Sequence, residues 1–363
     1  MKVDVAIIGG GPAGLATAIR LAERGLQTLV VERAGSPVDK ACGEGLMPRG
    51  LRELDSLGAL AGLDRSQTAP FLGIRYVQED GSSVEARFRG GSGLGVRRLA
   101  LAEALWARAS AIGVRRIRGA LKGFQAGRDE VSIETDAGPL EARLLIGADG
   151  LQSAVRRLAG LEGKSTAPRR FGLRRHFEIG AWSPFVEVHW QDGAEAYVTP
   201  VGPSAINVAF LWEERAGDEK ASFASLLSRF PAVEGRLRGA ASGSEARGAG
   251  PLDRPVLARV ARRVALVGDA AGYVDAITGQ GLSLALSGAA LLAARVPKEL
   301  SRGETLARGL HAYDRALARA FKRYSIPARA LLLLARRPNL RRRALRLATR
   351  HPWIFGALLG HVG

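Results

Sequence analysis

Val3-Asp4-Val5-Ala6-Ile7-Ile8-Gly9-Gly10-Gly11-Pro12-Ala13-Gly14 opens the chain and decides its fold. The apolar run from Val3 to Ile8 predicts a short buried strand. A helix is expected from about Ala13 to Arg24, with apolar residues at 15, 18, 19 and 22 and Gly25 as its stop. A second strand, Thr28 to Val31, ends at Glu32. Strand, glycines, helix, strand and acid in this order form a dinucleotide-binding unit. Gly9 permits the tight turn, Gly11 lets the backbone approach a pyrophosphate, and Gly14 lets helix and strand pack closely. Pro12 and Ala13 sit at the helix start, where free amides and the helix dipole favour phosphate. Glu32 stands where a carboxylate binds ribose hydroxyls, with Arg33 beside it. This fingerprint leaves NAD and FAD open.

Two later strands end in the same manner. Ala142 to Ile146 delivers Gly147-Ala148-Asp149-Gly150, followed by Ser153 and Arg156. Arg263 to Val267 delivers Gly268-Asp269-Ala270-Ala271-Gly272, then Tyr273-Val274-Asp275-Ala276-Ile277-Thr278-Gly279-Gln280-Gly281 and an apolar helix from about Leu282 to Ala294. Between these motifs, residues 171–178, 184–190, 194–200 and 205–212 alternate and are rich in Phe, Val, Tyr and Trp. They predict an antiparallel sheet, one face of which packs on a core or walls a pocket.

Together the three motifs resemble the glutathione-reductase-type FAD domain of the para-hydroxybenzoate hydroxylase-like superfamily. That group includes aromatic hydroxylases, halogenases and geranylgeranyl reductases. The resemblance covers about residues 1–325. It implies an α/β fold: a Rossmann FAD domain over 1–75, 95–165 and 250–300, a substrate-binding sheet domain over 76–94 and 166–249, and C-terminal helices over 301–363. It implies that Gly9, Gly11 and Gly14 hold the FAD pyrophosphate and Glu32 the adenosine ribose. Arg98, or its neighbour Arg97, corresponds to an FAD-contacting arginine. Asp149 would shape the FAD site, Asp269 would accept from a ribityl hydroxyl, and Gly279 and Gly281 would bring amides and a helix dipole to the flavin. No second glycine fingerprint is present. The resemblance therefore implies NADPH or NADH as a transient reductant, the alternative donor being a separate reductase.

For the reaction, Lys40-Ala41-Cys42-Gly43-Glu44-Gly45 resembles the Cys-Gly stretch of geranylgeranyl reductase-like proteins. So does Gly268–Gly281, although Ala276 departs from the proline usual there. Cys42-Gly43-Glu44-Gly45-Leu46-Met47-Pro48 also resembles hydroxylases that accompany polyketide synthases. The resemblance thus implies an NAD(P)H-driven monooxygenase acting on a lipophilic aromatic or polyketide-type molecule. The alternative is a reductase saturating alkenes of a hydrophobic substrate, and a minor one is a non-catalytic FAD-binding protein. The halogenase Trp-x-Trp-x-Ile-Pro signature is absent. Cys42 is the candidate catalytic residue, set against the ordinary role of a small buried cysteine. The histidines 176 and 189 fall on the expected sheet.

Composition bounds the remaining classes. The 363 residues are 47% apolar with mean hydropathy +0.01, which fits a folded globular chain. One cysteine excludes an intrachain disulfide and any multi-cysteine metal site. With no signal peptide or transmembrane run visible, the expected location is cytoplasmic. The net charge of +18 comes mostly from scattered arginines, with no zinc-finger spacing or aromatic ribonucleoprotein motif, so nucleic acid is not expected as a partner. From about Leu306 the chain reads as arginine-rich helix, with leucine and aromatic clusters reaching Trp353-Ile354-Phe355 and Leu358-Leu359. Such helices either pack on the FAD domain or a second subunit, or lie peripherally on anionic lipid. Oligomeric state is left open.

Overall fold

The computed structural model describes residues 1–35, 37–214, 221–297, 300 and 303–350. The aromatic and leucine cluster after residue 350 lies outside them. In chain order the elements are β1 (Lys2–Ile8), α1 (Pro12–Ala22), β2 (Thr28–Glu32), β3 (Gly45–Leu46), α2 (Pro48–Ser56), β4 (Thr68–Phe71), β5 (Gly73–Val77), β6 (Ser83–Arg87), β7 (Gly93–Val96), α3 (Arg98–Ala111) and β8 (Arg115–Arg118). Next come β9 (Leu121–Ala126), β10 (Val131–Thr135), β11 (Gly138–Gly147), α4 (Ala154–Leu158), β12 (Arg170–Glu178), β13 (Val186–Gln191), β14 (Ala194–Gly202), β15 (Ala205–Glu213), α5 (Phe223–Leu227) and α6 (Pro231–Arg236). The rest are β16 (Ala241–Ser242), β17 (Arg247–Ala249), β18 (Val260–Ala261), β19 (Val264–Leu266), α7 (Gly281–Ala293), α8 (Gly303–Ala335) and α9 (Pro338–Arg350).

The first sheet is the one the glycine fingerprint predicts. Its parallel strands stand in the order β19-β11-β1-β2-β8, with β18 antiparallel at the edge and the β9–β10 hairpin added to β11. Val5, Ala6, Ile7, Leu144, Leu145 and Ile146 are fully buried, because both faces of a parallel sheet are covered. Each such aliphatic side chain contributes about 1.5–3 kcal/mol of burial. The carboxyl ends of four strands converge at one edge. They deliver the Gly9–Gly14 turn, Glu32, Asp149 and Asp269 to the place where open α/β sheets bind ligands.

The second sheet runs β16-β12-β15-β14-β13-β5-β6, with β17 also on β12. It departs from the all-antiparallel expectation at one pair, because β5 lies parallel to β13. The β5–β6 hairpin arrives from between two parts of the FAD domain and joins the edge that β13 leaves free. On one face an apolar patch, Phe177, Ala196, Val198, Val208 and Phe210, packs under α5 and α6. The other face carries Arg170, Arg174, His176, Glu195, Tyr197 and Asn207, which share a side by register. Helices α8 and α9 cover its far half. Arg341 of α9, fully buried, donates to Gln78 Oε1 at 3.0 Å and stacks over the Trp190 ring at 5.1 Å.

Candidate FAD groove and the polar sheet face above it

The glycine turn is built for an anion. Pro12 occupies the first turn of α1, no side chain caps that terminus, and its first turn has no acid, so the amides are left for a ligand. The three glycines have separate duties. Gly9 has φ +108°, in the left-handed region that glycine enters without penalty. A Cβ on Gly14 would overlap the Gly9 carbonyl, so strand turn and helix pack through it. A Cβ on Gly11 would meet nothing nearer than the Arg98 guanidinium at 3.7 Å. That opening, framed by amides and a guanidinium, is the cradle a pyrophosphate would fill. Glu32 is oriented by two amides: Oε2 accepts from Gly10 at 2.7 Å and Oε1 from Ala34 at 3.0 Å. The Trp106 indole lies over Gly10, where a Cβ would come within 2.7 Å of the ring.

The neighbouring arginines diverge. Arg98 lies against the glycine turn, whereas Arg97 turns to the sheet and reaches His176 Nδ1 at 3.4 Å. Asp149 places its backbone beside Gly9, but its carboxylate serves the chain itself. It accepts from Ser153 Oγ at 2.5 Å, Ala154 N–H at 2.7 Å and Val155 N–H at 3.1 Å, capping α4. Asp269, half-buried, has its pKa raised by burial, with Arg98, Lys40 and Arg156 opposing. Lys40 is solvent-exposed yet crowded by protein. That crowding lowers its pKa, Arg98 adds to the effect, and Glu32 works against it. Arg33 is exposed at the rim. Gly279 has φ +65° and precedes Gly281, the first residue of α7, whose N-terminus also carries no side-chain cap and no first-turn acid. The uncapped amides of α1 and α7, the Arg98 guanidinium and the Glu32 carboxylate fit the donors and acceptors of FAD.

A polar network that no sequence motif announces reaches the start of α3 through Glu44. Three side chains of one sheet face hold the segment 39–44. Arg174 pairs with Asp39 and donates to the Lys40 carbonyl at 3.3 Å. Asn207 Nδ2 donates to the Cys42 carbonyl at 2.8 Å. His176 Nε2 meets Glu44 Oε2 at 2.6 Å. The other Glu44 oxygen accepts the Arg98 N–H at 2.8 Å, so Glu44 caps α3 from outside the helix. Glu44 adopts φ +58°, a strained choice for a non-glycine, at 1% exposure. Arg174 and Arg97 face His176 Nδ1 at 3.2 and 3.4 Å, and guanidinium groups only donate. Nδ1 is therefore the acceptor and Nε2 carries the hydrogen given to Glu44. Asn207 Oδ1 is buried with no hydrogen-bond partner among the described residues. Such an orphan costs about 1–3 kcal/mol, and a ligand is one thing that relieves it. Cys42 is half-buried, and its thiol sulfur accepts from the Glu44 N–H at 3.4 Å. Burial raises its pKa, with Arg98 pulling the other way.

A second cluster ties the sheet to the loop before α7. Arg170 is clamped between Glu195 Oε2 at 2.6 Å and Asp275 Oδ2 at 2.9 Å, all three nearly buried. Asp275 also accepts from Ile277 N–H at 3.0 Å, and Tyr197 donates to the Ile277 carbonyl at 3.1 Å. Tyr324 of α8 donates to the Asp275 carbonyl. Of this cluster the sequence motif marks only Asp275, within Gly268–Gly281.

Residues 2–225 match the family model described as FAD binding domain. Digeranylgeranylglycerophospholipid reductase of Methanothrix thermoacetophila is 29% identical over 87% of this chain and 83% of its own. The 12-dehydrotetracycline 5-monooxygenase/anhydrotetracycline 6-monooxygenase of Streptomyces rimosus is 32% identical over 48% of this chain and 36% of its own. Among solved structures, the flavin-dependent brominase Bmp2 superposes with a TM-score of 0.84 at 17% identity, covering 99% of this chain and 94% of that one. At that identity the likeness concerns the fold. With the family model spanning more than half of the sequence, the chain belongs to the FAD binding domain family, within the FAD-dependent oxidoreductase superfamily that its three motifs resemble.

Proposed function

We propose that this oxidoreductase, reduced by NADPH or NADH, saturates alkenes in a lipophilic, polyprenyl-type substrate. The observation that carries the reading is the pinned segment 39–44. Three sheet side chains hold the segment that carries Cys42, and burial raises the pKa of its thiol. Bound FAD would supply two-electron redox chemistry. Saturating a double bond consumes two electrons and two hydrogens, one of which arrives as a proton, and a thiol held neutral beside the groove is suited to deliver it. Gly9, Gly11, Gly14 and Arg98 would hold the pyrophosphate, and Glu32 a ribose. The near full-length similarity to a lipid reductase supports the same reading.

The shorter similarity to a tetracycline monooxygenase supports a second reading, hydroxylation of a lipophilic ring. One experiment separates the two. Under nitrogen, with NADPH and then NADH, a geranylgeranyl lipid should gain two hydrogens per double bond by mass spectrometry, and Cys42→Ser should slow this while keeping its FAD. Oxygen-dependent gain of one oxygen by a phenol, with no alkene saturation, moves the assignment to the monooxygenase. Cys42→Ser with unchanged turnover removes the thiol from the mechanism.

A further inference from the structure

Residues 315–350 contain twelve Arg or Lys and no Asp or Glu. The inner side of α8 is committed: Tyr324, Ala328 and Ala335 are buried against the loop carrying Val274 and Ile277. Within each helix two exposed aliphatic side chains stand seven residues, two helical turns, apart and so share a side. Ile326 and Leu333 of α8 are 59% and 45% exposed, and Leu340 and Leu347 of α9 are 41% and 52% exposed. Nine large apolar side chains are exposed among the described residues, and these two helices hold four of them. Arg323, Arg329, Arg337 and Arg343 interleave with them, exposed and without a carboxylate in ion-pair range among the described residues. No described helix is long and apolar enough to cross a membrane.

We propose that the outer face of α8 and α9 is a docking surface for an anionic lipid bilayer. The arginines would meet headgroup phosphates while the four aliphatic side chains enter the boundary of the acyl region. A polyanion such as RNA would use the cations but leave the aliphatic row in water, so the row favours lipid. The inner side of the same helix packs on the loop that precedes Gly279 and Gly281, so docking would bring the candidate active site to the lipid phase. The proposal does not depend on which reaction the flavin performs.

The test uses the FAD-loaded protein and sedimentation with vesicles of phosphatidylcholine alone or mixed with phosphatidylglycerol. Binding is expected to the mixed vesicles, not to phosphatidylcholine alone, and to fall with added salt. Arg329→Gln should weaken it about fivefold, and the double change Ile326→Ser, Leu333→Ser roughly tenfold or more. Both changes fall on exposed side chains, and flavin absorbance with thermal melting checks the fold. No binding to mixed vesicles at low salt would overturn the proposal. So would binding that the apolar double change leaves intact, or tighter binding to single-stranded RNA that only the arginine change weakens.

Discussion

The groove and the sheet face above it are built from different materials. The groove is backbone: a left-handed glycine, a glycine kept small for packing, a glycine kept open, and two uncapped helix N-termini. The sheet face is side chain: Arg170, Arg174, His176 and Asn207 reach acids or carbonyls on loops distant in sequence. A backbone site survives sequence change wherever the small residues stay small. A side-chain network is instead buried polarity whose members depend on each other, and losing one strands the rest.

The largest break in that contrast is Arg170→Met. It leaves Glu195 and Asp275 buried without their shared cation, and should cost about 3–5 kcal/mol in urea unfolding. Burial already holds both carboxyls above their usual range, with Arg170 opposing. Without Arg170 they rise further. A carboxyl whose folded pKa exceeds its unfolded value weakens folding as pH climbs through that window. The deficit should therefore be greatest near neutral pH and shrink as pH falls and the pair takes up protons. A deficit that grew on acidification would contradict the assignment.

Glu44→Gln is the next step down. It preserves size but can set an amide donor against the His176 Nε2 hydrogen, and should lower stability by about 1–3 kcal/mol in thermal melting. Because the glycine turn is untouched, FAD content should stay near stoichiometric. Simultaneous loss of flavin would show that network and groove are one unit.

Gly11→Ala sharpens the comparison from the other side. Its Cβ has room in the protein, so stability without FAD should change by less than about 0.5 kcal/mol. The added methyl would occupy pyrophosphate space and reduce FAD affinity roughly tenfold, or about 1.4 kcal/mol, in a fluorescence titration. Unaltered affinity would mean the phosphates lie elsewhere.

The parallel-sheet half of this protein was legible in its residues alone. Val3–Gly14, Glu32, Ala148-Asp149-Gly150 and Gly268-Asp269 are local statements, in which each strand end carries its own glycine or acid and the fold only repeats the pattern. The sheet was legible as alternation, and the parallel β5–β13 pair was not, because pairing partners lie over a hundred residues apart. Position alone does not say which of several uses a motif residue takes. Asp149 spends its carboxylate on the α4 cap, and Arg97 and Arg98, adjacent in sequence, face opposite ways. His176 and Glu44 are 132 residues apart, and neither carries a local sign of the other. They meet because the folded chain brings β12 beside the loop before β3. A hydrogen bond between side chains depends on ångström-scale placement of two backbones, and one-dimensional periodicity records which face a residue takes but not what it finds there.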